Sequence, residues 1–264
     1  MIRLVRAEVF KLRTVWSTWL MLGITALLVI FVTGLTASVS PDRRAVTSFP
    51  ARGSAAWLDI VFSGMTVAVY LAIVLGAVMI TGEHRHKTIT PTFLAEPRRG
   101  RTVAAKLVVA LGGGLVVAVV AGFVALGVGL VLVGVGVAPL GAVLTEYRHV
   151  WPGVAAACVL YGAYGVGLGA LLKNQVVTIV VALVAIAIVE PIIGLVAPAA
   201  ARWLPGSAAQ ALESLAANAR SHAAFGGSGG VHLVVWWVGA LLLVGYGVVL
   251  AALGSLTTLR ADVT

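Results

Sequence analysis

Apolar positions in this chain come in long blocks rather than in alternation or in a stripe returning every third or fourth residue. No charge interrupts residues 14–41, 60–82, 107–145, 149–172, 174–189 and 221–259, and the fifth block stays apolar beyond Glu190. Alternation would mark half-buried strands and a stripe would mark a surface helix. Blocks of this length mark helices with apolar surroundings on every side. A hydrocarbon core about 30 Å thick takes about 20 helical residues to cross. The pattern therefore predicts an all-α integral membrane protein. It forms one transmembrane domain over 1–264, with six spans near 16–38, 60–82, 107–137, 152–172, 176–197 and 232–256.

Two blocks need more than a length count. Residues 107–138 would make a helix of about 48 Å, so they fit either one tilted helix or two short ones. At the N-terminus, Ile2, Val5, Val9, Leu12 and Trp16 recur at spacings of 3, 4, 3 and 4, with Arg3, Arg6, Lys11 and Arg13 pointing elsewhere. That stripe predicts an amphipathic helix over 1–15 lying in the headgroup layer. The apolar run behind it is longer than the roughly 7–15 residues of a signal sequence, so it reads as a retained first span. Trp16, Trp19, Trp57, Trp151 and Trp203 fall near predicted span ends, where interfacial aromatics belong.

Composition closes off other classes. Apolar residues make up 61% of the 264 and charged ones 10%. An ordinary soluble domain has roughly 45–50% and 25%. Neither a water-covered globule nor a disordered chain can be built from that mixture. The net charge of +9 is read as topology, not as nucleic-acid affinity. With six spans and the N-terminus inside, twelve bases face the cytoplasm and six face outward, so both termini are expected in the cytoplasm. Cys158 is the lone cysteine, which excludes an intrachain disulfide and a cysteine metal framework. His84 and His86 alternate around Arg85 without a third ligand set, so no metal is expected. No lysine follows a glycine, so a phosphate-cradling P-loop is absent from the sequence.

Two features carry candidate chemistry. Residues 83–106 hold six of the 18 bases around Ile89, Phe93 and Leu94, which share one side of a short helix stopped by Pro97 and Gly100. An apolar patch ringed by charge suits a soluble protein partner, and the same composition suits anionic lipid. The other feature is Glu190, a carboxylate in the fifth span followed by Pro191. It lies 17 residues past Lys173, about 25 Å along a helix, which places it near the outer interface. Proline disfavours helical geometry at the residue before it, which predicts a break at Glu190, a short segment to Ala201 and another over 206–220. A gating or structural role for Glu190, direct substrate contact, and the place of a simple interface residue all stay open.

The run Gly82-Glu83-His84-Arg85 with Thr88, then Pro97-Arg98-Arg99 and Lys106, resembles the first cytoplasmic loop of ABC-2 type transporter permeases of high-GC bacteria. Arg6-Ala7-Glu8-Val9-Phe10-Lys11-Leu12 is similar to that family's N-terminal connecting helix. Gly165 through Gln175 is similar to its fourth-span exit. The resemblance implies a coupling helix over 88–94 that docks on a separate ABC ATP-binding subunit. Carried over position by position, the docking residues are Glu83, Arg85, Lys87, Thr88, Thr92, Phe93, Leu94, Arg98 and Arg99. Lys87 stands where the family commonly has a small residue, and Glu96 where it commonly has an apolar residue or proline.

The resemblance further implies extracellular re-entrant helices after the fifth span, with Glu190 and Pro191 on the gate or substrate path. It implies a bacterial plasma-membrane location and pairing with a second copy or a paralogous permease. ATP and Mg would sit on the partner subunit, with no cofactor on this chain. Export of a hydrophobic or amphipathic compound, such as a drug, lipid or peptide, is the family expectation. The rival is an ATP-independent carrier or scaffold. An ion-coupled carrier calls for ionisable groups at the midplane, which the spans do not offer.

Overall fold

The computed structural model describes residues 1–38, 50–85, 99–213 and 233–260. Their helices are α1 (Ile2–Thr14), α2 (Trp16–Ser38), α3 (Ala55–Ser63), α4 (Val67–Arg85), α5 (Arg99–Gly134) and α6 (Leu140–Leu172). After these come α7 (Gln175–Val184), α8 (Glu190–Val196), α9 (Pro198–Ala201), α10 (Pro205–Glu213) and α11 (Trp236–Arg260). A 3₁₀ turn, Gly64–Thr66, joins α3 to α4, and a π-helical turn, Ala185–Val189, joins α7 to α8. Among the described residues there is no strand.

Six helical stretches are long and apolar enough to cross a membrane: Trp16–Ser38, Ala55–Glu83, Thr102–Gly134, Leu140–Leu172, Gln175–Val196 and Trp236–Gly254. The chain is an all-α, multi-pass membrane protein. An even number of crossings returns the end of α11 to the face where α2 begins, here the N-terminal face.

The bundle is organised around α6, which packs against α4, α5 and α11 and is the most deeply buried span. Glycines set that packing. A Cβ at Gly165 would collide with the carbonyl oxygen of Ile73 on α4, one at Gly76 with that of Gly162, and one at Gly162 with that of Ala110 on α5. Backbones approach this closely only where side chains are missing. The Gly165 and Gly169 pair therefore serves contact within the chain. The fifth span is the least buried of the six.

Several boundaries differ from the sequence expectation. Residues 107–138 are not two short helices, because α5 runs unbroken to Gly134 and the chain turns at Gly136, where φ is 73°. The fourth span starts at Leu140 rather than near 152, so Glu146, Arg148, His149 and Trp151 are helical. Packing overrides the charges there. Tyr147 meets the edge of Phe62 at 5.9 Å and stacks on Trp151 at 6.4 Å, and the Trp151 indole donates to the Ala118 carbonyl at 3.2 Å. Trp57 is fully buried in α3, whose first turn is capped by Ser54 accepting from the Trp57 amide at 3.3 Å. Trp57 and Trp151 therefore pack within the bundle; Trp57 still lies near a span end, whereas Trp151 lies inside the fourth span.

The expected break at Glu190 and Pro191 is absent. The π turn leads straight into α8, and the helix runs on through Pro191 with its register changed just before it. The path breaks instead at Ala197, with φ −138° and ψ 69°, immediately before Pro198.

Candidate functional site

On the N-terminal face, three helices contribute to one ionic cluster. Glu8 and Lys11 stand one turn apart on α1, Glu83 lies near the end of α4, and Lys106 lies early in α5. The Lys11 ammonium is 2.9 Å from Glu8 Oε1 and 2.7 Å from Glu83 Oε1. The Lys106 ammonium is 2.8 Å from Glu8 Oε2 and 2.8 Å from the same Glu83 Oε1. Two acids and two bases thus close a neutral ring. Lys106 is only 2% exposed, and the two carboxylates are its ion-pair partners.

Burial pushes the Glu8 carboxyl up, but attraction and hydrogen bonding from Lys106 and Lys11 outweigh it and hold the group below its ordinary range. Burial likewise pulls the Lys11 ammonium down, and its bonds to Glu8 and Glu83 carry it above its ordinary value. The ring fastens α1 to both arms of the hairpin whose connection is residues 86–98. Glu83 keeps one unmet need, since its Oε2 is buried without a hydrogen-bond partner, and so is the Thr102 hydroxyl.

Beside the ring opens a cavity of about 820 Å³ between α1, α2, α4, the start of α5 and Gln175. Leu12, Met21, Leu75 and Met79 line its apolar part, and Lys11, Glu83, Arg85 and Thr102 its polar end.

On the opposite face, α10 is seated between α6 and α11. A Cβ at Gly153 would lie 2.6 Å from the Leu212 carbonyl oxygen, and one at Gly239 would lie 2.6 Å from that of Ala208. Glycine on each neighbour is what admits this short helix. Its N-terminus is held by Glu190, whose Oε2 accepts from the Gly206 amide at 2.6 Å and whose carboxylate also takes the Ser207 amide. A carboxylate at a helix N-terminus satisfies otherwise orphaned amides and meets the positive end of the helix dipole. At the other end of α10, Glu213 is buried, and burial pushes its carboxyl up to about 8. The Tyr246 hydroxyl donates to the Trp203 carbonyl at 3.1 Å, and the Arg202 guanidinium lies 5.1 Å from the Trp203 ring centre.

Among the residues singled out by sequence, Glu83 sits in the ring and Arg85 is exposed at the end of α4. Arg99 opens α5. Lys87, Thr88, Thr92, Phe93, Leu94 and Arg98 lie outside the described residues, as does the proposed coupling helix. Glu190 and Pro191 head α8, with Glu190 directed at α10. Sequence reasoning missed Glu8, Lys11 and Lys106 as members of one site. A signal for the first pair was available, since Glu8 is the lone acid in residues 1–41 and Lys11 stands one turn after it. Among the described residues, no three His, Cys, Asp or Glu side chains gather as a metal site. No protein-family model matches this chain, and no curated protein or solved structure matches it either.

Proposed function

We propose that this chain is the transmembrane subunit of an ABC-2 type transporter, driven by ATP that a separate subunit hydrolyses. The observation that carries the reading is the ionic ring. The two segments that most resemble the family, around Glu8 and Lys11 and around Glu83, lie 72 residues apart in sequence and meet through a direct ion pair between Lys11 and Glu83. A permease worked from outside the membrane needs such a joint, because force applied at residues 88–94 must reach more than one span. Through the ring it would reach α4 and α5 directly, and α1 and then α2 through Glu8 and Lys11.

In this reading α1 is the interfacial connecting helix on the cytoplasmic face, and both termini are cytoplasmic. Residues 88–94 form the coupling helix, with Arg85, Lys87, Thr88, Thr92, Phe93, Leu94, Arg98 and Arg99 toward the ATPase. Glu83 acts as the positioning residue behind them. On the far face α9 and α10 are the re-entrant helices of an outer gate, and Glu190 fixes α10 to the fifth span. Two such chains, identical or paralogous, work with two ATP-binding subunits that hold the ATP and Mg. Nucleotide-driven closure of those subunits biases the bundle between inward-open and outward-open states and exports a hydrophobic or amphipathic compound.

The test is purification of the chain from its native membrane in mild detergent, with mass spectrometry of what accompanies it. A P-loop ATPase in about equal amount, lost with Phe93→Asp or Leu94→Asp, is the expected result. Intact chain that purifies without any ATPase overturns the reading in favour of a carrier or scaffold.

A further inference from the structure

The cavity beside the ionic ring has a polar rim and an apolar body, and its place among the spans fixes their depth. Its lining includes Ser17 and Thr18 near the start of the first span, Glu83 at the end of the second, Thr102 at the start of the third and Gln175 at the start of the fifth. Span ends mark the boundary between headgroups and hydrocarbon. From Glu83 the lining continues back along α4 to Leu75, eight residues or about 12 Å toward the middle of the membrane. An apolar slot at this depth takes a hydrocarbon chain, because an empty slot forfeits its contacts and water finds no polar partners in it.

The charges at the rim differ in what they offer an occupant. Both oxygens of Glu8 are held, Oε1 by Lys11 and Oε2 by Lys106. Glu83 gives Oε1 to the same two ammoniums, and its Oε2 is buried out of an occupant's reach. The acids are thus spent within the ring, and Lys106 is sealed behind them. Two cations remain accessible. The Lys11 ammonium has three N–H donors against two carboxylate partners, and its side chain is 46% exposed. Arg85, exposed at the end of α4, lines the same rim. Since the ring itself is neutral, Arg85 leaves the rim with a positive charge. Ammonium and guanidinium donors suit a phosphate. A zwitterionic headgroup brings its own cation up against them, whereas a headgroup whose phosphate charge is uncompensated does not.

We infer that this cavity is a site for one anionic phospholipid, phosphatidylglycerol in kind, with its phosphate toward Lys11 and Arg85 and an acyl chain along Met79 and Leu75. Such a lipid ties α1 to α4 from the membrane side, beside the ion pair that already joins Lys11 to Glu83. Neither the charge of the rim nor its depth depends on an ATPase partner.

Headgroup selectivity on the full-length chain, with charge removed at the rim or away from it, tests the inference. Protein stripped of lipid in detergent is given equal amounts of dioleoyl phosphatidylglycerol, phosphatidylcholine and phosphatidylethanolamine, and bound lipid is counted by native mass spectrometry. One glycerol lipid per chain, held about tenfold more tightly than either zwitterionic lipid, is expected from two cations at a lipid surface. Lys11→Gln with Arg85→Gln should bring the three lipids to parity. Arg3→Gln with Arg6→Gln removes the same charge from exposed positions of α1 outside the lining, and should leave the preference unchanged. Gly82→Phe tests the apolar body. Gly82 lines the cavity and a Cβ there meets nothing within 4 Å, so a large side chain can enter the space and should displace the lipid. Equal retention of the three lipids by the unaltered protein overturns the inference, and so does a preference for a zwitterionic one. A glycerol-lipid preference that survives Lys11→Gln with Arg85→Gln, or that both double variants lose alike, reports general surface charge and overturns it as well. Undiminished retention in Gly82→Phe places the lipid outside the cavity, with the same consequence.

Discussion

Lys106 is nearly sealed from solvent and holds two carboxylates from different helices, so removing it strands negative charge in a low-dielectric site. Lys106→Met should cost about 3–5 kcal/mol of stability in a thermal or denaturant melt in detergent. Lys11→Met should cost less than about 1 kcal/mol, because its half-exposed ammonium is screened. Adding Glu8→Gln to Lys106→Met should restore part of the loss, since the double variant has one fewer unpaired charge. Neither Glu8 nor Lys11 gives a pH slope near neutrality. Glu8, with its lowered pKa, contributes stability that is lost only as pH falls below the ordinary glutamate range. Lys11, with its raised pKa, loses its contribution only as pH climbs past the ordinary lysine range.

Glu213 behaves in the opposite sense. Its carboxyl is raised from 4.5 to about 8, so the folded state binds a proton that the unfolded chain releases, and stability falls as pH rises between those values. The slope is at most about 1.4 kcal/mol per pH unit. Melting wild type and Glu213→Gln from pH 6 to 8 should show wild type losing stability with pH, and the variant losing the part of that dependence due to Glu213. Sequence marked Glu83 because of its motif and Glu190 because of its place in an apolar run. It did not join Glu83 to partners 72 residues before it and 23 after it, since ion pairs between helices follow from packing that no local pattern encodes.

Among the elements, the fifth span separates what local rules settle from what they do not. Pro191 carries no amide N–H, and the rule for the residue before a proline predicts a break there. A π turn just before it takes up the register, and the helix continues to Val196. The same rule, applied at Ala197 before Pro198, does locate the break. Glu190 then becomes intelligible as the N-terminal anchor of α10, sixteen residues on. Glu190→Ala should free the Gly206 and Ser207 amides, cost about 1–2 kcal/mol and raise hydrogen exchange through the first turn of α10. Glu190→Gln keeps an acceptor and should show a smaller change. Equal exchange in all three proteins would mean that α10 is held by its seat between Gly153 and Gly239 alone. The early start of α6 is a similar case: Glu146 and Arg148 read as loop, yet Tyr147 and Trp151 pack well enough to keep the segment helical.

Across the whole molecule, span number was legible because block length answers directly to bilayer thickness, a constraint that acts on sequence without reference to neighbours. Arrangement was not legible, because any apolar face can meet either lipid or protein. Glycine placement shows the difference. Gly165 sits against the Ile73 backbone, whereas Gly127 has open space around its Cβ position. Gly165→Leu should prevent recovery of folded protein, and Gly127→Leu should be tolerated, as judged by yield and monodispersity after detergent extraction.

Six crossings fix a further relation that the same architecture makes easy to measure. α1 lies on one face, and Ala51, just before α3, lies on the other. Cys158 is fully buried, so it should stay silent toward a membrane-impermeant thiol reagent. In intact cells, the cytoplasmic orientation proposed here makes Ala51→Cys reactive and Arg3→Cys protected until the membrane is opened. The reverse pattern would keep the six spans and invert them. The ionic ring and residues 86–98 would then face away from any cytoplasmic ATPase, and the proposed coupling would fail on geometry alone.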